Sequence, residues 1–149
     1  MSDEAFMKEA LKEAEMALEK GEVPIGAVLV KEGKILGRGH NLKEEKRDPT
    51  AHAEILALQE GSRDLNSWRL TGTTLYVTVE PCPMCAGALI QARVKRLVFG
   101  VRDTKAGVCG SLYNLVQDDR FNHQLEVVEG ILEQDCRRIM QDFFKGLRK

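Results

Sequence analysis

The chain has 149 residues, of which 43% are hydrophobic and 30% are charged, and its formal net charge is −1. This length and balance predict a single domain over residues 1–149 with its own core, and they exclude a polycation that binds nucleic acid over its whole surface. No stretch approaches the roughly 18 apolar residues of a membrane span, and the acidic N-terminus lacks a signal-peptide pattern, so we expect a cytoplasmic protein with no membrane partner.

The N-terminal part of the sequence predicts a helix followed by a β-hairpin. Apolar residues recur at helical spacing over residues 4–19. Residues 25–30 are an apolar run that is typical of a buried strand, and Glu32-Gly33 is a tight-turn signal before a second strand near residues 34–39. We expect these two strands to pair in antiparallel fashion.

The rest of the sequence predicts helices that alternate with strands. Thr50 is the candidate cap of a helix over about residues 51–61, and the last helix spans about residues 133–147. Between them we expect a strand, a helix, a strand and a weaker strand, at residues 73–79, 84–92, 96–101 and 125–129. This order predicts an α/β domain in which helices cover both faces of a mixed sheet. The last helix has an apolar stripe of Cys136, Ile139, Met140, Phe143, Phe144 and Leu147.

Charge is distributed unevenly between the two ends of the chain. Residues 1–22 contain seven acidic groups against three lysines. Residues 137–149 contain five basic groups, among them Arg148 and Lys149, against the single acidic residue Asp142. These cations could contact phosphates, but the composition favours the simpler interpretation that they complement the dipole at a helix C-terminus.

Two short motifs combine the residue types of a zinc site, namely His52-Ala53-Glu54 and Pro81-Cys82-Pro83-Met84-Cys85. Cys82 and Cys85 lie three apart at a helix start, which brings both sulfurs to one side, and His52 adds an imidazole. Glu54 diverges from His52 by about 200° on a regular helix, so the two residues need different roles. Three protein ligands leave one coordination position open, and zinc lowers the pKa of a water bound there from about 15.7 to about 7. A nearby carboxylate such as Glu54 can then take the proton from that water.

Other interpretations of these residues stay open. Cys82 and Cys85 could be a redox pair, although that leaves His52 and Glu54 without a role. His52 could also be a core or capping histidine. The zinc would be structural if a fourth protein ligand closed the site. The candidates for that ligand are Cys109, Cys136, His40 and His123, and Cys109 is the serious rival because Cys136 lies on the apolar stripe of the last helix.

The two motifs and their flanks resemble the bacterial tRNA-specific adenosine deaminases of the cytidine deaminase-like superfamily. The zinc motifs specify only the superfamily, whereas the loop after residue 103 and the C-terminal elements favour the tRNA branch. The resemblance implies a three-layer α/β/α domain around a central mixed five-stranded sheet. The further segments that match the family are Glu22–Ala27, Gly39-His40-Asn41, Phe121-Asn122-His123 and Asp142-Phe143-Phe144.

The resemblance also implies a reaction, a cofactor and partners. It implies hydrolysis of the wobble adenosine of a tRNA anticodon stem-loop to inosine, by a homodimer with one Zn²⁺ per chain. Glu54 would be the proton shuttle for a zinc-activated water, Asn41 would hydrogen-bond the purine, and the backbone N–H of Ala53 would help to fix it. Four further residues would line the approach and hold neighbouring nucleotides, namely Asp103, Lys105, Asn122 and His123.

Structural alternatives remain for these residues, and two other functions remain for the chain. Asn41 and Asn122 could be turn formers, and Lys105 could be a solvated surface charge. Asp103 could cap a loop, and His123 could pack under the final strand. Phe143 and Phe144 fit a core better than a base-stacking surface because of their helical spacing. The other functions are deamination of a free base or nucleoside by the same chemistry, and RNA binding without catalysis by a zinc-stabilised module.

Overall fold

A computed structural model describes residues 2–147, so Met1, Arg148 and Lys149 lie outside the described residues, including the last two cations of the basic C-terminal end. Within residues 2–147, no helix combines the length and the apolar character needed to cross a membrane. The helices and strands follow in chain order: α1 Asp3–Glu19, β1 Gly26–Lys31, β2 Lys34–His40, α2 Lys43–Lys46, α3 Ala53–Leu65, β3 Thr74–Val79, α4 Pro83–Gln91, β4 Arg96–Val101, β5 Glu126–Glu129 and α5 Glu133–Leu147.

The five strands form one mixed sheet in the order β2-β1-β3-β4-β5. β1 and β2 form the predicted antiparallel hairpin. Its turn places Glu32 and Gly33 at φ values of 50° and 77°, as a two-residue type I′ turn requires. β1 also pairs antiparallel with β3, whereas β3 pairs parallel with β4 and β4 pairs parallel with β5. The predicted mixed five-stranded sheet is therefore confirmed.

Helices cover both faces of the sheet because side chains alternate along its buried strands. Val28 and Val98 face one apolar cluster, to which α1 and α5 contribute. Their neighbours Leu29 and Phe99 face a second cluster, to which α3 and α4 contribute. All four side chains are fully buried, and each such burial stabilises the fold by roughly 1.5–3 kcal/mol relative to exposure. The result is the three-layer α/β/α arrangement that the resemblance implied.

The helix α3 differs from the prediction at both ends. Thr50 is not its cap, because the Thr50 hydroxyl donates to Asp48 Oδ1 at 2.7 Å. His52 occupies the cap position instead, and its side chain makes no capping hydrogen bond. Gly61 does not end the helix, which continues to Leu65. It lies against Leu29, where a Cβ atom would overlap the leucine side chain. That glycine therefore allows close packing of the helix on the sheet.

The helix α5 spans the predicted residues, but the expectation that Phe144 packs in the core is wrong. Cys136 is fully buried and Met140 packs against the same cluster, as expected. Phe144 and Leu147, however, are 42% and 66% exposed. The apolar cluster on this face of the sheet ends before the last turn of α5. The apolar side chains of that last turn therefore have no part of the cluster to pack against. The short helix α2 was not predicted either, because its four charged residues show no apolar periodicity.

Candidate active site

The two metal motifs meet at one edge of the sheet because of the strand directions. His40 pairs with Gly26, so the end of β2 lies beside the start of β1. Val79 pairs with Val101, so the parallel strands β3 and β4 end at that same edge. The segments that follow β2, β3 and β4 therefore converge at the carboxyl ends of three strands, where open α/β sheets commonly bind ligands.

His52, Cys82 and Cys85 form a triangle of potential metal ligands whose ligand atoms lie within 4.8 Å of one another. The His52 Nδ1 atom lies 3.6 Å from Cys82 Sγ and 3.5 Å from Cys85 Sγ. Tetrahedral zinc with Zn–N of about 2.0–2.1 Å and Zn–S of about 2.3 Å requires N–S separations of about 3.5–3.6 Å. The donor set and its spacing therefore fit a zinc ion, and the structure brings these three residues together.

The thiols of the triangle affect each other's protonation. Hydrogen bonds with Cys85 and His52 lower the pKa of Cys82 to about 4 despite its burial. The pKa of Cys85 is raised because its thiol donates to Cys82 and because it is buried. The hydrogen bond with Cys82 raises the pKa of His52. A divalent cation bound by both sulfurs would offset their mutual repulsion and hold both as thiolates, which is a further reason that the site suits a metal.

The rival ligands proposed for a closed structural site do not join the triangle. Among the described residues, the group that could hold a metal contains neither Cys109, Cys136, His40 nor His123. The His40 Nδ1 atom lies 3.0 Å from Glu13 Oε1. His123 Nε2 lies 2.7 Å from the Val94 carbonyl oxygen, to which it donates. Within residues 2–147 the triangle therefore offers three potential ligands, the number that an open hydrolytic site requires.

Glu54 lies beside the triangle without belonging to it. It is 4% exposed, and burial is the main reason that its pKa is raised to about 7. A general acid–base group works best when its pKa lies near the operating pH. Glu54 can therefore accept and release a proton near neutral pH.

A pocket of about 170 Å³ opens beside the triangle. Pockets for drug-sized ligands measure roughly 300–1,000 Å³, so this one suits a group the size of a single ring system. The pocket is lined by six residues that the sequence analysis singled out, namely Asn41, His52, Ala53, Glu54, Cys82 and Asp103.

Asn41 is held at the pocket by its own amide group. Its Nδ2 atom donates to the Val23 carbonyl at 3.4 Å, and its Oδ1 atom accepts the backbone N–H of Lys43 at 3.1 Å. An asparagine amide has two donor hydrogens and two acceptor lone pairs. One donor and one acceptor position are therefore left for a ligand, while the existing bonds fix the side chain.

A larger groove of about 870 Å³ shares Val79, Asp103 and Ala106 with the pocket. Lys105 lines this groove and not the pocket, and the exposed ring of Phe144 lines it as well. Among the described residues of its lining, Asp103 is the one acidic residue, against four cations. The four cations are Arg102, Lys105, Arg137 and Lys145.

Asn122 and His123 are not brought to either cavity. Asn122 is exposed, and His123 is half-buried with its ring bound to the Val94 carbonyl. Their expected roles as RNA contacts stay predictions. Conversely, sequence reasoning gave no role to several lining residues of the pocket. Lys43 could have been suspected because it follows Asn41 by two positions. The other lining residues belong to no sequence pattern that indicates a pocket, namely Val23, Ile25, Val79, Glu80 and Ala106.

Comparison with known proteins gives consistent matches. Residues 1–148 match the MafB19-like deaminase family. The chain is 57% identical over 147 residues to the tRNA-specific adenosine deaminase of Bacillus subtilis (strain 168), with 99% of this chain and 91% of that protein covered. It is 48% identical over 159 residues to the chloroplastic tRNA(adenine(34)) deaminase of Arabidopsis thaliana, which covers 96% of this chain and 12% of that protein.

The fold also matches solved structures. One such structure comes from biochemical and structural studies of A-to-I editing by tRNA:A34 deaminases at the wobble position. It superposes on this chain with a TM-score of 0.87 at 42% identity, and covers 91% of this chain and 98% of its own. The three-layer deaminase-like fold implied by the sequence resemblance is thereby confirmed.

Proposed function

The chain belongs to the tRNA-specific adenosine deaminase family, and on that basis we propose that it hydrolyses the wobble adenosine of a tRNA anticodon loop to inosine. The observation that carries this proposal is a ring-sized pocket bounded by a triangle of metal ligands and by the buried carboxyl group of Glu54. The reaction breaks the C6–N6 bond of adenine, forms a C6–O bond with water and releases ammonia.

We assign one zinc ion per chain to His52, Cys82 and Cys85. One imidazole and two thiolates are a common ligand set for catalytic zinc, and the N–S separations of 3.5 and 3.6 Å support this choice of metal. When bound, zinc supplies Lewis-acid chemistry, which lowers the pKa of a coordinated water and makes it a nucleophile near neutral pH.

Glu54 is the proton shuttle in this proposal. Its carboxylate takes a proton from the attacking water and transfers it to N1 of the purine. It then moves the second proton of that water to the departing ammonia. The burial of Glu54 supports both steps, because a pKa of about 7 allows one group to act in turn as base and as acid.

Asn41 and Ala53 orient the base. The free donor and acceptor positions of the Asn41 amide can pair with the edge of a purine. Ala53 is 1% exposed and lines the pocket at the start of α3, where backbone N–H groups have no partner within the helix. Its N–H is therefore a suitable donor to the base. Asp103 forms the wall at which the pocket meets the groove.

The groove favours RNA over a free base as the substrate. Lys105 and Lys145 suit the phosphates of the nucleotides that flank a flipped base, and the exposed ring of Phe144 offers a stacking surface. Arg102 and Arg137 are instead paired with Glu129 and Glu133. A single-stranded loop lowers the cost of extruding that base. A free base or nucleoside would fill the small pocket and leave the groove without a ligand. The expected homodimer and cytoplasmic location stay predictions, as do the roles of Asn122 and His123.

Inosine formation tests the proposed function. The zinc-loaded protein is incubated with an anticodon stem-loop that carries a wobble adenosine, and the nucleosides are then separated and identified. We expect inosine at the wobble position and no reaction of a matched stem-loop whose only adenosines lie in the stem. Turnover of free guanine or cytosine without any inosine in the stem-loop would identify a free-base deaminase. Tight binding of the stem-loop without turnover would identify an RNA-binding module.

A further inference from the structure

Glu80 connects the metal motif to the loop that separates the pocket from the groove. It follows β3, precedes Pro81 and is 3% exposed. Its carboxylate accepts the backbone N–H groups of Asp103 at 3.0 Å, Cys109 at 2.9 Å and Ser111 at 2.9 Å. The Ser111 hydroxyl also donates to it. One buried carboxylate therefore binds the loop of residues 103–111 at three separate backbone positions.

These bonds replace regular secondary structure in the loop. Residues 103–111 contain no helix or strand, and Cys109 forms an isolated β-bridge with Asn114, which lies beyond the loop. Convergent backbone N–H groups form a concave site for an anion, and charge-assisted hydrogen bonds to a carboxylate are stronger than neutral ones. The loop also approaches Glu80 closely at Gly107, where a Cβ atom would overlap the glutamate carboxyl group.

The loop of residues 103–111, which Glu80 holds, contributes residues that line both the pocket and the groove. Asp103 and Ala106 line both the pocket and the groove, and Lys105 lines the groove. Glu80 stands two residues before Cys82, which belongs to the ligand triangle. The position of the groove relative to the metal ligands therefore depends on the bonds that Glu80 makes.

We propose that Glu80 is a positioning residue for RNA: its carboxylate sets the loop of residues 103–111 so that nucleotides bound in the groove deliver the wobble base to the pocket. This inference rests on the proposed function. Glu80 acts through the loop, so its loss affects substrate binding more than the chemical step. A residue with a general structural role would instead affect folding, metal content and both kinetic constants together.

The variant Glu80→Gln tests this inference. Glutamine keeps the size of the side chain, but its NH₂ group meets backbone N–H groups that need an acceptor. We expect one zinc per chain, a KM for the anticodon stem-loop that rises by at least about tenfold, and a kcat that changes by less than about threefold. Hydrogen exchange of the Cys109 and Ser111 amides should accelerate by at least about tenfold, while the amides of α3 and α4 keep their protection.

Two further variants serve as controls. Glu13→Gln removes a carboxylate that is also buried, at 7% exposure, but belongs to α1 on the other face of the sheet. We expect it to lower stability and to leave the KM unchanged. Ser111→Ala removes one hydroxyl donor to Glu80 and should shift the KM and the Cys109 amide exchange in the same direction by a smaller factor. If Glu80→Gln does not fold, the KM and amide exchange of Ser111→Ala test the inference in its place.

Three outcomes would overturn the inference. One is an unchanged KM with unchanged amide exchange in Glu80→Gln. A second is loss of zinc together with faster exchange throughout α3 and α4, which would show a general structural role. The third applies if Glu80→Gln does not fold, and it is a wild-type KM together with wild-type amide exchange in Ser111→Ala. If the wild-type protein forms no inosine, the proposed function fails first, and the exchange measurement still reports whether Glu80 holds the loop.

Discussion

The His52 Nδ1 atom lies 3.5 Å from Cys85 Sγ, although 33 positions separate the two residues in the chain. His52 precedes the first residue of α3 and Cys85 lies in the first turn of α4, so two helix starts contribute to one ligand triangle. His52 makes no capping hydrogen bond, which leaves its imidazole free to face the sulfurs. The triangle therefore depends on where two helices begin, as well as on which residues stand there.

The proposed ligand role of Cys85 predicts a specific loss of metal. Cys85→Ala removes one of the three proposed ligands, so we expect it to retain less than about a tenth of a zinc ion per chain and to form no inosine. Metal analysis of the purified protein measures this directly. The matched control is Cys136→Ala, which removes another fully buried thiol on the other face of the sheet. Full zinc content in Cys85→Ala would remove Cys85 from the ligand set.

The proposed proton-shuttle role of Glu54 predicts a loss of rate without a loss of metal. Glu54→Gln keeps the shape of the side chain but cannot accept a proton, so kcat should fall by about 10²–10⁴-fold. Zinc content and stem-loop binding should stay within about twofold of the wild-type values. Glu60→Gln, an exposed change on the same helix, is the matched control and should have no effect. A Glu54→Gln protein that deaminates at the wild-type rate would exclude Glu54 as the shuttle.

The basic groove predicts a dependence of RNA binding on salt. If Lys105 and Lys145 each neutralise a phosphate, replacing both by alanine should reduce the slope of log K against log salt by about 0.7 per lysine. Binding titrations at several salt concentrations measure that slope. Lys34→Ala is the matched control, because Lys34 is exposed at the opposite end of β2 from the site. An unchanged slope in the double variant would show that RNA does not occupy the groove.

The pairing of Asp3 with Arg96 predicts a dependence of stability on pH. Arg96 donates to both Asp3 oxygens, at 2.8 and 2.6 Å, and the Tyr76 hydroxyl donates at 2.7 Å. The hydrogen bonds with Arg96 are the main reason that the pKa of Asp3 is lowered from its ordinary value of 3.8. Because the folded state favours the ionised form, this contribution is present above about pH 4 and is lost as the pH falls through the folded pKa.

Asp3→Asn should therefore lower the free energy of unfolding by about 1.5–3 kcal/mol at pH 7, the usual contribution of hydrogen bonds to a charged group. The difference from the wild type should shrink when urea unfolding is repeated at acid pH, below the folded pKa of Asp3. Asp64→Asn, an exposed change on α3, controls for the loss of one negative charge. An equal difference at both pH values would show that ionisation of Asp3 contributes nothing to stability.

Much of the fold and the reactive centre could be predicted from local sequence. The hairpin depends on Glu32-Gly33, whose backbone conformation is a property of the turn itself. The ligand triangle depends on residue types at short, fixed spacings near two helix starts, which sequence alone displays. The separate role of Glu54 follows from the same spacing, because it cannot face the ion alongside His52 on a regular helix.

The features that escaped prediction depend on neighbours that are distant in the chain. The exposure of Phe144 is set by where the sheet stops covering α5, and helical spacing carries no information on that point. Glu80 accepts backbone N–H groups 23 to 31 positions away. The residue types in a sequence do not show which backbone N–H groups will bind a distant side chain. Gly61 suggested a helix end, but it allows the helix to pack closely against Leu29 of β1.

One isotope experiment tests the central claim most directly. The zinc-loaded wild-type protein is incubated with a wobble-adenosine stem-loop in water enriched in oxygen-18, and the product nucleoside is analysed by mass spectrometry. Hydrolytic deamination predicts inosine at the wobble position with one oxygen-18 atom at C6, and ammonia released in equal amount. Recovery of unreacted adenosine from protein that holds one zinc per chain would contradict the proposed function.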